Sequence, residues 1–400
     1  MHKPFHVLYL TRNGLLEPLG QSQIFPYLRG LSDSYKISLI SFEKLVDWSD
    51  NHLRSITCDI CHSHLIRWTP FFFREKPRFF APLYAALQLS FTALVLCHTP
   101  RQPALIHARS YIPAFIALFL NRLTGIPFIF DMRALWLEEL LVAGRLSRKS
   151  LFYSILRRLE RLCLEEASGV VSLTHAASKY LKETYPLSLA TQRLVVIPTC
   201  ADLQRFQPHP LPRDDALLIG CVGTVLSGWF LLDWLFAFYD SVFRADPSAQ
   251  FELITRDSPD EIFRRLPLSS SWLDRLTITS ATPAEMPQLL RRHTASVMFF
   301  TPGLSKIGSS PTRMAEVLGS GRPVVCNRGV GDMDKIITDH RVGVLTQSPR
   351  DVDMDSCVNE LIKLLADGNL SSRCRRTAED LFSLESGINA YNQLYTDILS

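Results

Sequence analysis

Residues 104–131, ALIHARSYIPAFIALFLNRLTGIPFIFD, read as strand, helix, strand. Ala104–His107 and Pro127–Asp131 are short apolar runs of strand length, and Tyr111–Leu123 between them is long enough for a helix. Two strands joined by a helical crossover run parallel. Strands that are apolar at nearly every position are covered on both faces.

The same alternation extends outward. On the amino side lie strands Val7–Leu10 and Lys36–Phe42 with helices Gln21–Leu31 and Phe79–Cys97. On the carboxyl side come helix Lys149–Glu166, strand Gly169–Leu173, helix His175–Tyr185 and strand Leu194–Pro198. The stretch DLQRFQPHPLPRDD, residues 202–215, holds three prolines and few apolar residues and reads as a linker. Beyond it the alternation restarts. Strands Leu217–Val222, Phe251–Thr255, Leu276–Thr279, Ser296–Phe300, Pro323–Cys326 and Gly343–Leu345 are separated by helices, and residues 352–400 read as helix throughout. The pattern predicts an α/β protein of two doubly wound, Rossmann-like parallel-sheet domains, 1–200 and 201–384. The last helix, about 385–400, is expected to return to the first domain. Ligands of such folds bind at the carboxyl ends of the strands, here in a cleft between two sheets.

Composition narrows the function classes. Hydrophobic residues are 47% and charged residues 20% of 400, which excludes a disordered or fibrous chain. Residues 1–200 hold 23 Lys and Arg against 14 Asp and Glu, net +9; residues 201–400 hold 20 against 25, net −5. The halves therefore face different partners, and the lack of any Lys/Arg block argues against nucleic acid. Nine scattered cysteines and an amino terminus that leads straight into a strand predict a reduced, cytoplasmic protein. Phe79–Cys97 carries no charge, but Pro82, Gln88, Ser90 and Thr92 dilute it, so a buried helix is expected over a membrane span. The flank Arg67–Phe80 mixes aromatic and basic residues and reads either as a lipid-interface surface or as a loop anchored in the core. Cys58-Asp59-Ile60-Cys61-His62 matches a haem-attachment pattern in letters only. It lacks the export signal haem needs and the second Cys pair zinc needs, so no metal is expected.

Three loops are placed to carry chemistry. Thr11–Gln23 leaves the first strand and enters a helix near Gly20 and Gln21; Gly220–Thr224, with Gly223 and Thr224, repeats that arrangement in the second half. Helix amino ends offer backbone N–H groups to a phosphate. The third segment, Ser305-Lys306-Ile307-Gly308-Ser309-Ser310-Pro311-Thr312-Arg313-Met314-Ala315-Glu316, puts small hydroxyl residues and a proline before a helix. Lys306 and Arg313 add charge for an anion, and Glu316 is placed to accept hydrogen bonds from sugar hydroxyls.

Four segments, Gly14–Gln23 (GLLEPLGQSQ), His107–Tyr111 (HARSY), Phe130–Glu139 (FDMRALWLEE) and Ser309–Val325, occur in the order found in a subgroup of the retaining family 4 glycosyltransferases, and the chain resembles that family. The resemblance implies the GT-B architecture, a nucleoside-diphosphate sugar as co-substrate and no cofactor or metal. Glu316 matches the second glutamate of the family's E-x7-E motif, which holds the nucleotide ribose; the first would fall at Gly308. The Arg and Lys-Gly pair common in relatives is replaced by Thr224-Val225-Leu226-Ser227-Gly228. Lys306 and Arg313 remain for the diphosphate, with Ser309, Ser310, Gly223, Thr224, Gly20 and Gln21 beside the donor and Arg256 a weaker candidate. Arg109, Asp131 and Arg133 stand at strand ends on the acceptor side and take the catalytic role. Retaining transfer by the front-face route needs no protein nucleophile; it needs the departing diphosphate stabilised and the acceptor hydroxyl held on the same face. The expected partners are a nucleotide sugar, a glycan or lipid-linked acceptor, and the anionic inner face of a membrane. The rival readings are a non-catalytic GT-B partner subunit and a nucleotide-sugar epimerase.

Overall fold

In the computed structural model, residues 5–73, 81–99, 102–210, 216–267 and 269–400 are described. Thirteen strands form two sheets. The first has β1 (His6–Leu10), β2 (Lys36–Glu43), β3 (Arg67–Phe72), β4 (Leu105–Arg109), β5 (Phe128–Asp131), β6 (Gly169–Ser172) and β7 (Leu194–Val196), in the order β3-β2-β1-β4-β5-β6-β7. The second has β8 (Leu218–Val222), β9 (Gln250–Ile254), β10 (Leu276–Thr279), β11 (Ala295–Met298), β12 (Val324–Asn327) and β13 (Gly343–Thr346), in the order β10-β9-β8-β11-β12-β13. All strand pairs are parallel. The chain divides into one compact unit of Met1–Pro198 with Leu384–Ser400 and a second of Thr199–Ser383.

Local chemistry sets the element ends. Asp50, Ser150 and Thr174 each cap a helix, their side-chain oxygens accepting from Leu53 N (2.9 Å), Tyr153 N (3.1 Å) and Ala177 N (3.1 Å). The helix Tyr111–Thr124 stops at Gly125, whose φ of 73° is the left-handed turn that favours glycine. In the second unit Trp272, Tyr239, Phe251 and Phe236 form an aromatic core on one sheet face, and Met314, Leu318, Met333 and Phe382 lie in the core of the other.

Three segments differ from their sequence reading. Arg67–Phe72 is not a loop but the edge strand β3, with Phe71 against Phe42. Pro70 disguised it, because proline is tolerated in a sheet only where one side of the strand needs no ladder donor; the rest of that flank, 74–80, lies outside the described residues. The supposed linker is partly core: Leu203 and Phe206 are buried, and Leu203 fills the space that a Cβ on Gly319 would need. The uncharged helix, Ala81–Cys97, buries only one face, through Ala85, Leu89, Ala93 and Cys97. Tyr84, Leu87, Phe91 and Val95 on its other face are exposed. Among the described residues no helix is long and apolar enough to cross a membrane.

Candidate functional site

In the second unit, the loop leaving β11 runs through a short 3-10 turn, Leu304–Lys306, into the helix Thr312–Gly319. Pro311 opens this helix, and the amides of Thr312 and Arg313 have no acceptor among the described residues. The loop is tied on both sides. Thr199 Oγ1 donates to the Ser310 carbonyl (2.6 Å), Thr199 N donates to Ser310 Oγ (3.3 Å), and Gly331 N donates to the Lys306 carbonyl (2.9 Å). Lys306 is buried with its ammonium 3.8 Å from the centre of the Trp229 ring, a cation–π contact. Ser305 Oγ is buried without a hydrogen-bond partner. Glu316 is buried one turn into the helix and accepts from Arg313 Nη1. Arg313 is one-third exposed, so that pair is worth at most about 1 kcal/mol and yields readily to a ligand. Ser309 and Ser310 are half-buried beside it.

The other two loops are arranged differently from their sequence reading. Val225 N and Leu226 N donate to Asp257 Oδ2 at 2.6 and 2.9 Å, so this chain's own carboxylate occupies the amides of the loop after β8. Gly223, with a φ of 139°, is the turn of that loop; Thr224 and Arg256 are exposed. In the first unit Leu15 N and Leu16 N donate to Glu43 at 2.7 and 3.1 Å. Gly20 is packed on the backbone of Gly14 and Leu15, and Gln21 Nε2 donates to the Leu15 carbonyl (2.9 Å). Gly20 and Gln21 hold the loop together, and Glu43 takes the amides of Leu15 and Leu16 ahead of the helix. Only contact between residues distant in the chain reveals Glu43 and Asp257 as loop anchors.

The acceptor-side candidates come together. Arg109 ends β4 in register with Asp131 at the end of β5, and both are buried. Asp131 Oδ2 accepts from Tyr391 OH (3.0 Å) and pairs with His107 Nε2 (3.3 Å), while Oδ1 lies 3.6 Å from Arg133 Nη1. Tyr391 and Tyr395 belong to the final helix, Leu384–Leu399; Tyr395 OH is 2.6 Å from His107 Nδ1, and Tyr9 stacks on the His107 ring at 4.3 Å. Burial by itself would push the Asp131 carboxyl up, but Arg133, His107 and Arg109 outweigh it and hold it at about 2. Burial lowers His107 despite Asp131, so its ring is neutral. Ser110 (φ 75°) and Arg133 (φ 60°) hold left-sided backbone conformations at the two strand ends, the kind of strain that collects at working sites. The tyrosines and His107 were absent from the sequence-based set; the spacing of Tyr391 and Tyr395, one turn apart in a helix expected to fold back, was the available signal.

Cys58 and Cys61 lie within one helix, Asn51–Ser63, and burial pushes the Cys61 thiol up to about 12. Among the described residues no three His, Cys, Asp or Glu side chains are placed to hold a metal ion. Two cavities of the second unit, about 650 and 820 Å³, lie elsewhere and include none of Lys306, Arg313 or Glu316.

Two Rossmann-like units, each built on a parallel sheet, define the GT-B fold class. Residues 53–200 match the glycosyl transferase 4-like domain family. A search of curated proteins by sequence finds no match. Among solved structures the chain is similar to Alr3699/HepE of Anabaena in complex with UDP and glucose (15% identity, 98% of this chain and 99% of that one, TM-score 0.66). It is similar to sucrose-phosphate synthase of Thermosynechococcus elongatus (15%, 98% and 99%, 0.70) and to a putative UDP-N-acetylglucosamine 2-epimerase of Listeria monocytogenes (10%, 97% and 94%, 0.60). At these identities the likeness shows the fold, which transferases and that epimerase share.

Proposed function

We propose that the chain is a nucleotide-sugar glycosyltransferase that moves a sugar, with retention, from a nucleoside-diphosphate sugar to an acceptor hydroxyl in glycan or glycolipid synthesis. The observation that carries this reading is the helix Thr312–Gly319, whose acceptorless amides stand beside Lys306 and Arg313 with Glu316 one turn behind. The glycosyl transferase 4-like match over residues 53–200 supports it from the other unit. In this reading the amides and the two cations receive the diphosphate, Arg313 swings off Glu316, and Glu316 takes the ribose hydroxyls. The bond from the anomeric carbon to the leaving phosphate breaks through an oxocarbenium-like state. The electron pair of that bond leaves with the diphosphate, whose developing negative charge falls on the helix amides, Lys306 and Arg313, so the reading needs no metal. Gly308 and the cation-free loop at Thr224 favour, as a second reading, a partner subunit that kept the fold without activity. Thermal-shift screening against UDP-, GDP-, ADP- and dTDP-sugars separates the two when paired with a hydrolysis assay. One nucleotide class is expected to stabilise the protein, by about 2.7 kcal/mol at a hundred times its Kd, and to be slowly hydrolysed. Binding without any turnover favours the partner subunit, and no binding overturns the transferase reading.

The acceptor side is read as membrane-linked. Tyr84, Leu87, Phe91 and Val95 form an exposed apolar stripe on one helix, and Leu151, Phe152 and Ile155, also exposed, precede Arg158 and Arg161 on another. The protein is expected to float with anionic vesicles at low salt and to release as salt rises. Leu87→Glu with Phe91→Glu is expected to abolish flotation. Wild-type protein that ignores anionic vesicles, or a double variant that floats equally well, contradicts this.

A further inference from the structure

We propose that the cluster at the carboxyl ends of β4 and β5 is a binding site for a phosphoryl group, gripped by Arg109 and Arg133. It rests on the transferase reading only in assigning that group to the acceptor. The argument is one of charge. Two guanidiniums, Arg109 and Arg133, share a buried cluster whose one carboxylate is Asp131, so the cluster carries one uncompensated positive charge. His107 does not alter the balance, because burial keeps it neutral. Burial pushes the phenols of Tyr9, Tyr391 and Tyr395 up, so they stay protonated. Arg109 is 4% exposed, and among the described residues its Nε has no hydrogen-bond partner and no carboxylate lies within 4 Å of it.

A buried cation without a counter-ion is expensive, and chains that only need stability replace it with apolar residues. Arg12, which leaves β1 beside β4, stands 5.8 Å over the Phe73 ring, with no carboxylate within 4 Å among the described residues. Asp131 is placed to hold Arg133, and what remains is a guanidinium fork, whose donor spacing matches two oxygens of a phosphoryl group. Access is from the Arg133 side, since that side chain is 10% exposed and Arg109 is more deeply buried.

The test is calorimetric titration of the full chain with inorganic pyrophosphate at fixed ionic strength. Wild type is expected to take up two pyrophosphates, one per unit. Lys306→Ala with Arg313→Ala should remove the donor-side one and leave the other. In that background Arg109→Gln and Arg133→Gln are each expected to weaken the remaining site at least tenfold, with Arg109→Lys closer to wild type. Asp131→Asn is expected to tighten it severalfold, a change that misfolding cannot imitate. A site untouched by Arg109→Gln, an Asp131→Asn variant that binds no tighter, or acetate binding as well as pyrophosphate would overturn the assignment. A single site lost with Lys306 and Arg313 sinks this inference and leaves the donor reading standing. A single site lost with Arg109 alone does the reverse.

Discussion

Gly220→Ala is expected to destabilise the second unit by about 3–5 kcal/mol, a large share of the 5–15 kcal/mol typical of a folded protein. Gly220 lies in the middle of β8, in register with Glu252 on β9 and Ser296 on β11. The fully buried His293 ring lies across its bare Cα, with Nε2 2.9 Å from Glu252 Oε2 and Nδ1 3.0 Å from Ser296 Oγ. A Cβ on residue 220 would fall 2.0 Å from the ring. The ring cannot retreat without breaking both bonds, which leaves the Ser296 hydroxyl unpaired and Glu252 with Arg292 alone, so overpacking and lost hydrogen bonds add. Chemical denaturation measures this. The double variant Gly220→Ala with His293→Ala should cost less than the sum of the two singles, because the clash goes with the ring. A loss below about 1 kcal/mol for Gly220→Ala would show that the ring is not held as described.

Asp131→Ala is expected to cost about 3–5 kcal/mol in the first unit, because it leaves Arg109 and Arg133 buried with no carboxylate at all. Pyrophosphate should restore part of that loss, whereas an equal concentration of chloride should not. The pH dependence follows from the same groups. Asp131 titrates at about 2 in the folded chain, below the ordinary 3.8. Its contribution is therefore complete above about pH 4 and fades as pH falls toward 2, by roughly 2 kcal/mol in all. Wild type and Asp131→Ala should converge in stability over that acid range. Parallel curves down to pH 2 would contradict the assignment.

How far the sequence reached depended on whether a feature is local. Strands such as β8 and β12 are apolar in nearly every position because helices cover both faces, so they were legible as runs. β3 was not, since Trp68, Pro70, Phe71 and Phe72 fit an edge strand and a greasy loop equally well. The helix Asn51–Ser63 went unread because its residues are mostly polar and only Thr57 and Cys61 are buried. In two of the three loops a carboxylate takes a pair of backbone amides. Which carboxylate does so is decided by Glu43 and Asp257, each distant in sequence from the amides it binds. Likewise Arg109, Asp131 and Arg133 stood out as strand-end charges. Their surplus of one positive charge is apparent only once Tyr391 and Tyr395 bring no acid to them.

The central claim is that the helix bearing Arg313 and Glu316 seats the diphosphate and ribose of a sugar nucleotide, and Glu316→Ala tests it most directly. Titration calorimetry with whichever nucleotide sugar stabilises the wild type should show the variant binding about ten- to hundredfold more weakly, the value of a charged hydrogen bond of about 1.5–3 kcal/mol. Affinity equal to that of the wild type would contradict it.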